Sequence, residues 1–135
     1  MPHGMSFREY MRHNGKYVAK FQAHQQAVNE AYWKVHEEAM RPGALDKKTK
    51  ELIALSIIVA KHCDVCITFH IRDCVRAGCT DDEIMETLSI AVMEGDGPTM
   101  VYAGNAVEAL EEYRAAEAKA GKGAKDTPAD EQAGG

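Results

Sequence analysis

The stretch 52–60, LIALSIIVA, is apolar at every position but Ser56. As a helix it shows apolar side chains on nearly every side, so it has to be surrounded. It is far short of the ~20 residues that a bilayer-spanning helix needs. It is therefore expected in a core or against another subunit, and the rest of the chain must supply the cover. The remaining segments have helical spacing. Over 16–40, apolar residues fall at Val18, Phe21, Val28, Tyr32, Val35 and Ala39, with helical rather than alternating periodicity. Arg41-Pro42-Gly43 breaks that helix. Asp46 caps the next one, which runs to about Lys61. A third starts near Cys63 and stops at Gly78. Thr80 with Glu83 three residues on reads as a capping box opening a fourth, through Ile84, Leu88 and Val92. The stretch 94–98 (EGDGP) reads as a loop, with Gly95 and Gly97 turning the chain rather than cradling an anion. A last helix carries Val101, Ala106, Leu110 and Tyr113.

No segment reads as a strand, so the expected fold is all-α, a single domain of about five to six helices over 1–120. The stretch 121–135 (GKGAKDTPADEQAGG) has no large apolar residue and is expected to be a disordered tail. With 135 residues the chain is long enough to bury a core without disulfides or metals. Its formal net charge of -5 argues against nucleic acid or an acidic membrane as partner. The N-terminus lacks the basic-then-apolar run of a signal peptide, and a cytoplasmic protein is expected.

The four cysteines, at 63, 66, 74 and 79, crowd one window instead of spreading to close loops. In a reducing compartment a close pair points to catalysis or metal binding more than to a structural bridge. Cys63, Cys66 and His70 are spaced three and four apart, which puts them on one stripe of a helix. Cys63 falls at the helix N-terminus, where the dipole and free amides favour a thiolate. His70 lies one turn beyond Cys66, placed to take its proton. Two thiols and a base are the parts of a thiol redox centre.

A carboxylate that orients the imidazole would complete it. Glu51 sits about 15 Å before the turn at Lys61, and His70 about 10 Å past Cys63 on the returning helix. Antiparallel packing would leave the two within about a turn. Glu51 is also the one acid at the edge of the apolar run, and a buried acid needs a partner. Zinc is a weaker fit. Cys63, Cys66 and His70 offer three ligands, but Cys74 is about 16 Å from Cys63 along a helix, too far to share the ion. Cys74 and Cys79 read as structural, and His24 and His36 as solvent-facing. Inert buried cysteines are the alternative for the pair itself. Helix-end electrostatics favours Cys63 as the more reactive thiol and the neighbouring His70 favours Cys66, so these residues alone leave the attacker open.

Taken together, the stretch 45–57 (LDKKTKELIALSI), Cys63-Asp-Val-Cys66 with His70, Ala77-Gly-Cys-Thr-Asp-Asp-Glu-Ile, and Gly95-Asp-Gly-Pro98 with Tyr102-Ala103 resemble the carboxymuconolactone decarboxylase family, over about 43–109. The Glu, CxxC and His pattern is similar to its alkylhydroperoxidase D-like branch. The resemblance implies an all-α fold in a homotrimer or homohexamer. It also implies hydroperoxide reduction by the Cys pair with no cofactor and no metal, and regeneration by a dithiol, thioredoxin-like or lipoyl partner. Cys66 would be the peroxide-attacking thiol, Cys63 the resolving thiol, His70 the base and Glu51 its relay partner. That branch carries a further histidine directly before the second cysteine. Here Val65 stands there, and His62 stands just before Cys63. The alternatives are a lyase acting on a lactone acid, as in the family's namesake, and a non-enzymatic helical assembly protein with structural cysteines.

Overall fold

The computed structural model describes residues 4–125, and all of its regular structure is helical. Six helices follow in order: α1 Phe7–His24, α2 Gln26–Met40, α3 Lys47–Ala60, α4 Asp64–Arg76, α5 Asp81–Glu94 and α6 Gly97–Lys125. None is long and apolar enough to cross a membrane.

The local signals explain most of the boundaries. Asp46 caps α3 by accepting from the Thr49 amide at 2.7 Å. Thr80 and Glu83 form the reciprocal capping box of α5, at 3.1 and 2.8 Å. Gly78 takes φ +84° just past the C-cap of α4, where a β-carbon would be strained.

Four boundaries depart from expectation. The segment 16–40 is two helices, because the chain breaks at Gln25 (φ -120°, ψ 51°). The first of them begins at Phe7, where Ser6 and Glu9 make another capping box. The glycine-containing loop shrinks to Gly95-Asp96, since α6 already starts at Gly97. At its far end α6 continues to Lys125, past Gly121. The rest of the expected tail lies outside the described residues.

α3 packs against α4, α5 and α6, and α1 lies across α4 and α6. Along α3, Glu51, Leu55 and Val59 are buried. They recur every four residues, so one stripe enters the core and carries a carboxylate with it. Ile67 and Ile71 of α4, Ile84 of α5 and Phe7 of α1 meet them there, all fully buried. Each such side chain contributes about 1.5–3 kcal/mol relative to exposure.

The opposite face of α3 is open. Ile53 is 43% and Ile57 52% exposed, so within one chain this helix is not surrounded as its composition predicts. The same holds for the periodic residues of the first two helices. Val18, Phe21, Val28, Tyr32 and Val35 are all exposed, and α2 buries no residue. Their spacing forecasts helix correctly, but the stripe does not face this chain's own core. At the other edge of α1, Glu112 of α6 accepts from the amides of Phe7 at 3.1 Å and Arg8 at 3.4 Å. The first turn of α1 is thereby capped by the last helix.

Candidate functional site

Cys63 is the N-cap of α4, in extended conformation, and its Sγ accepts from the Cys66 amide at 3.4 Å. It is therefore one residue outside the helix that carries Cys66 and His70. The two cysteines are joined as a disulfide, with α-carbons 5.2 Å apart. A sulfur at an N-cap meets the free amides and the positive end of the dipole, the surroundings that favour a thiolate once the bridge opens. Asp64 follows directly. Its carboxylate accepts from Asn105 of α6 at 2.9 Å, which ties the start of α4 to the last helix.

One turn beyond Cys66, His70 turns its Nδ1 toward Oε2 of Glu51 at 3.5 Å. The carboxylate is 3% exposed and the imidazole 18%. Burying a carboxylate costs several kcal/mol unless it is paired. The core stripe that delivers Glu51 would be filled more favourably by leucine, so the pair is not explained by packing. Among the described residues, no group of three or more His, Cys, Asp and Glu side chains is arranged to hold a metal ion.

A cleft of about 700 Å³ opens between α2 and the α3–α4 pair. Trp33, His36 and Met40 form one wall, and Lys47 and Arg76 stand across from them. Of the four candidate residues only Glu51 lines it. His36 is half-buried there, whereas His24 is exposed at the end of α1.

The other side of the cysteine pair holds a cluster that spacing alone does not reveal. His62 Nε2 is 2.9 Å from Thr99 Oγ1 and 3.5 Å from Asp96 Oδ1. The ring stacks on Tyr102 with centroids 4.4 Å apart and planes 6° from parallel. Thr99 is fully buried, and its hydroxyl and amide both donate to Asp96. Those bonds hold the Asp96 carboxyl below its usual range. A β-carbon at Gly95 would overlap Thr99 Oγ1, so this turn needs glycine for close approach. Val65, between the cysteines, is half-buried. Cys74 and Cys79 are buried at the far end of α4. Burial pushes the thiol of Cys74 far up and that of Cys79 up as well.

The fold and the site together define a class: small all-helical proteins with a CxxC pair at a helix N-terminus beside a buried Glu–His contact. Residues 26–121 match the model of the carboxymuconolactone decarboxylase family, and the chain belongs to that family. A family member from Legionella pneumophila, solved in its apo form, is 40% identical. Its structure covers 79% of this chain and 96% of its own with a TM-score of 0.76. A family member from Thermotoga maritima, for which a part in an antioxidative response has been suggested, is 36% identical. There the coverage is 69% of this chain and 96% of that one, with a TM-score of 0.66. An uncharacterized protein of Cupriavidus necator is 36% identical over 62% of this chain and 74% of its own length.

Proposed function

We propose that this protein is a thiol-dependent peroxidase or disulfide reductase of the alkylhydroperoxidase type. The observation that carries the reading is the Cys63–Cys66 pair at the start of α4, one turn from an imidazole held by a buried carboxylate. His70 takes the proton of Cys66, and Glu51 orients the ring and balances its charge. The Cys66 thiolate attacks the outer oxygen of a hydroperoxide. The O–O bond breaks, and the alkoxide leaves as an alcohol with the proton that His70 held. Cys66 is then a sulfenic acid. Cys63 gives up its proton and, as thiolate, attacks Cys66 Sγ; the S–O bond breaks, hydroxide takes up that proton and leaves as water, and the disulfide forms. Two exchange steps with a dithiol, thioredoxin-like or lipoyl reductant restore both thiols and oxidise that partner. On this reading the protein works in the cytoplasm, without metal or cofactor.

The decisive measurement is a thiol count of the reduced protein before and after one equivalent of hydroperoxide, with turnover followed alongside. Loss of two thiols, and loss of turnover in Cys66→Ser, is expected. Normal turnover in Cys66→Ser would sink the reading. A second reading, a lyase acting on a lactone acid, draws on the basic side chains of Lys47 and Arg76 in the cleft beside Glu51. Decarboxylation that survives alkylation of the thiols would favour it.

The same proposal includes a homo-oligomer, a trimer or hexamer. The exposed apolar faces of α1, α2 and α3, with Phe21 at 61% and Val35 at 68%, support it. Light scattering on the purified chain tests it, and a monomer at micromolar concentration would overturn it.

A further inference from the structure

The turn between α3 and α4 contains a histidine that the chemistry above leaves unused. His62 follows the C-cap of α3 and directly precedes Cys63. Its φ is +58°, and among the described residues it is the only non-glycine with a positive φ. A side chain with a β-carbon is strained there, and glycine is not. The corresponding position after α4 is Gly78, at φ +84°. Glycine would serve the turn better, so the histidine persists against a conformational cost. Outliers of this kind last only where the surroundings over-determine them.

The surroundings do so through the ring. Thr99 Oγ1 donates its one hydrogen to Asp96 Oδ1 at 2.9 Å, which leaves the oxygen to accept from His62 Nε2–H. In the neutral ring the hydrogen then sits on Nε2, and Nδ1 keeps its lone pair. Tyr102 closes one face by stacking. The strained residue is thus clamped to the start of α6, and Cys63 is fixed as the next residue in the chain.

We propose that His62 is a positioning residue of the thiol pair, acting through the backbone on Cys63, the residue that follows it. The clamp keeps Cys63 Sγ at the N-cap, over the Cys66 amide. The inference rests on reading the pair as a redox centre.

His62→Gly separates this role from that of a helix stop. Glycine keeps the left-handed turn, relieves the strain and removes the ring. The variant should melt at or above the wild-type temperature. Its disulfide should close about tenfold more slowly after one equivalent of hydroperoxide, by rapid quench and thiol counting. Its equilibrium with dithiothreitol should also shift. His62→Asn, which tolerates the same turn, is the second variant and should show the same defects with a smaller loss. Wild-type closure and wild-type equilibrium in both variants would overturn the inference. If hydroperoxide leaves the wild-type thiols untouched, the peroxidase reading fails. The dithiothreitol equilibrium then decides this inference alone: a shift in the variants sustains it, and no shift sinks it.

Discussion

Two cysteine pairs sit at opposite ends of α4. At the N-terminal end, Cys63 and Cys66 are half-buried and bonded, between the clamped ring of His62 and the Glu51–His70 contact. At the C-terminal end, Cys74 and Cys79 are buried and unbonded, and the Cys79 amide donates to the Cys74 carbonyl at 3.0 Å. The residue type is the same, and the surroundings are opposite. One end of the helix offers free amides and positive potential, and the other offers carbonyls and negative potential. Burial adds to the second effect by disfavouring the thiolate. The helix end and burial therefore set the surroundings of each thiol, and the count of cysteines does not.

Cysteine replacement tests the contrast most severely. Cys66→Ser and Cys63→Ser should each lower hydroperoxide turnover by roughly a thousandfold or more, since each removes a bond-forming atom. Cys74→Ala should leave kcat within about twofold and cost only about 1–2 kcal/mol by denaturation, the cost of a small cavity. Equal losses from both ends would erase the distinction. Glu51→Gln comes next. It preserves shape and removes the charge that steadies His70, and kcat should fall about a hundredfold.

Alkylation sharpens the comparison further. With the bridge reduced, two thiols should react at neutral pH in the folded protein, and the other two only after unfolding, as counted by mass spectrometry. Stability carries the same signature. The folded-state pKa of Cys74 is raised by burial, so the unfolded chain loses that proton first as pH rises. Stability is unaffected by this group below about pH 8.5 and falls above it. Urea midpoints from pH 8 to 10 should show the fall, and Cys74→Ala should lessen it, leaving the part that buried Cys79 contributes in the same direction. The smallest effect belongs to Thr80→Ala. It removes the cap next to Cys79 and should cost about 1 kcal/mol, with unchanged reactivity at Cys63 and Cys66.

Much of this was legible from side-chain type and spacing. Asp46, the Thr80–Glu83 box and Gly78 mark helix ends by local hydrogen bonding and backbone freedom, and local effects show in local sequence. The approach of Glu51 to His70 follows from helical rise and antiparallel packing. The break at Gln25 carries no glycine or proline and could not be read. The Ser6–Glu9 box was readable and lies ahead of the first periodic stretch. Periodicity identified α2 as helical but not which partner its apolar stripe meets, because a stripe facing a core and a stripe left open have the same spacing. The clamp on His62 was hidden for a different reason. It joins residues 37 positions apart, and nothing about a histidine announces a left-handed backbone.

The carboxylate of Glu112 holds two amides at the start of α1, 105 and 104 residues back along the chain. That contact closes a loop spanning most of the molecule, and loop closure of this length is the slowest kind of contact to find. α1 is thus expected to dock last in folding and to detach first under stress. A nick or insertion in the short link between α1 and α2 would then release a single helix, while α3, α4 and α6, which with their adjoining turns carry Glu51, both cysteine pairs and the histidine clamp, stay assembled.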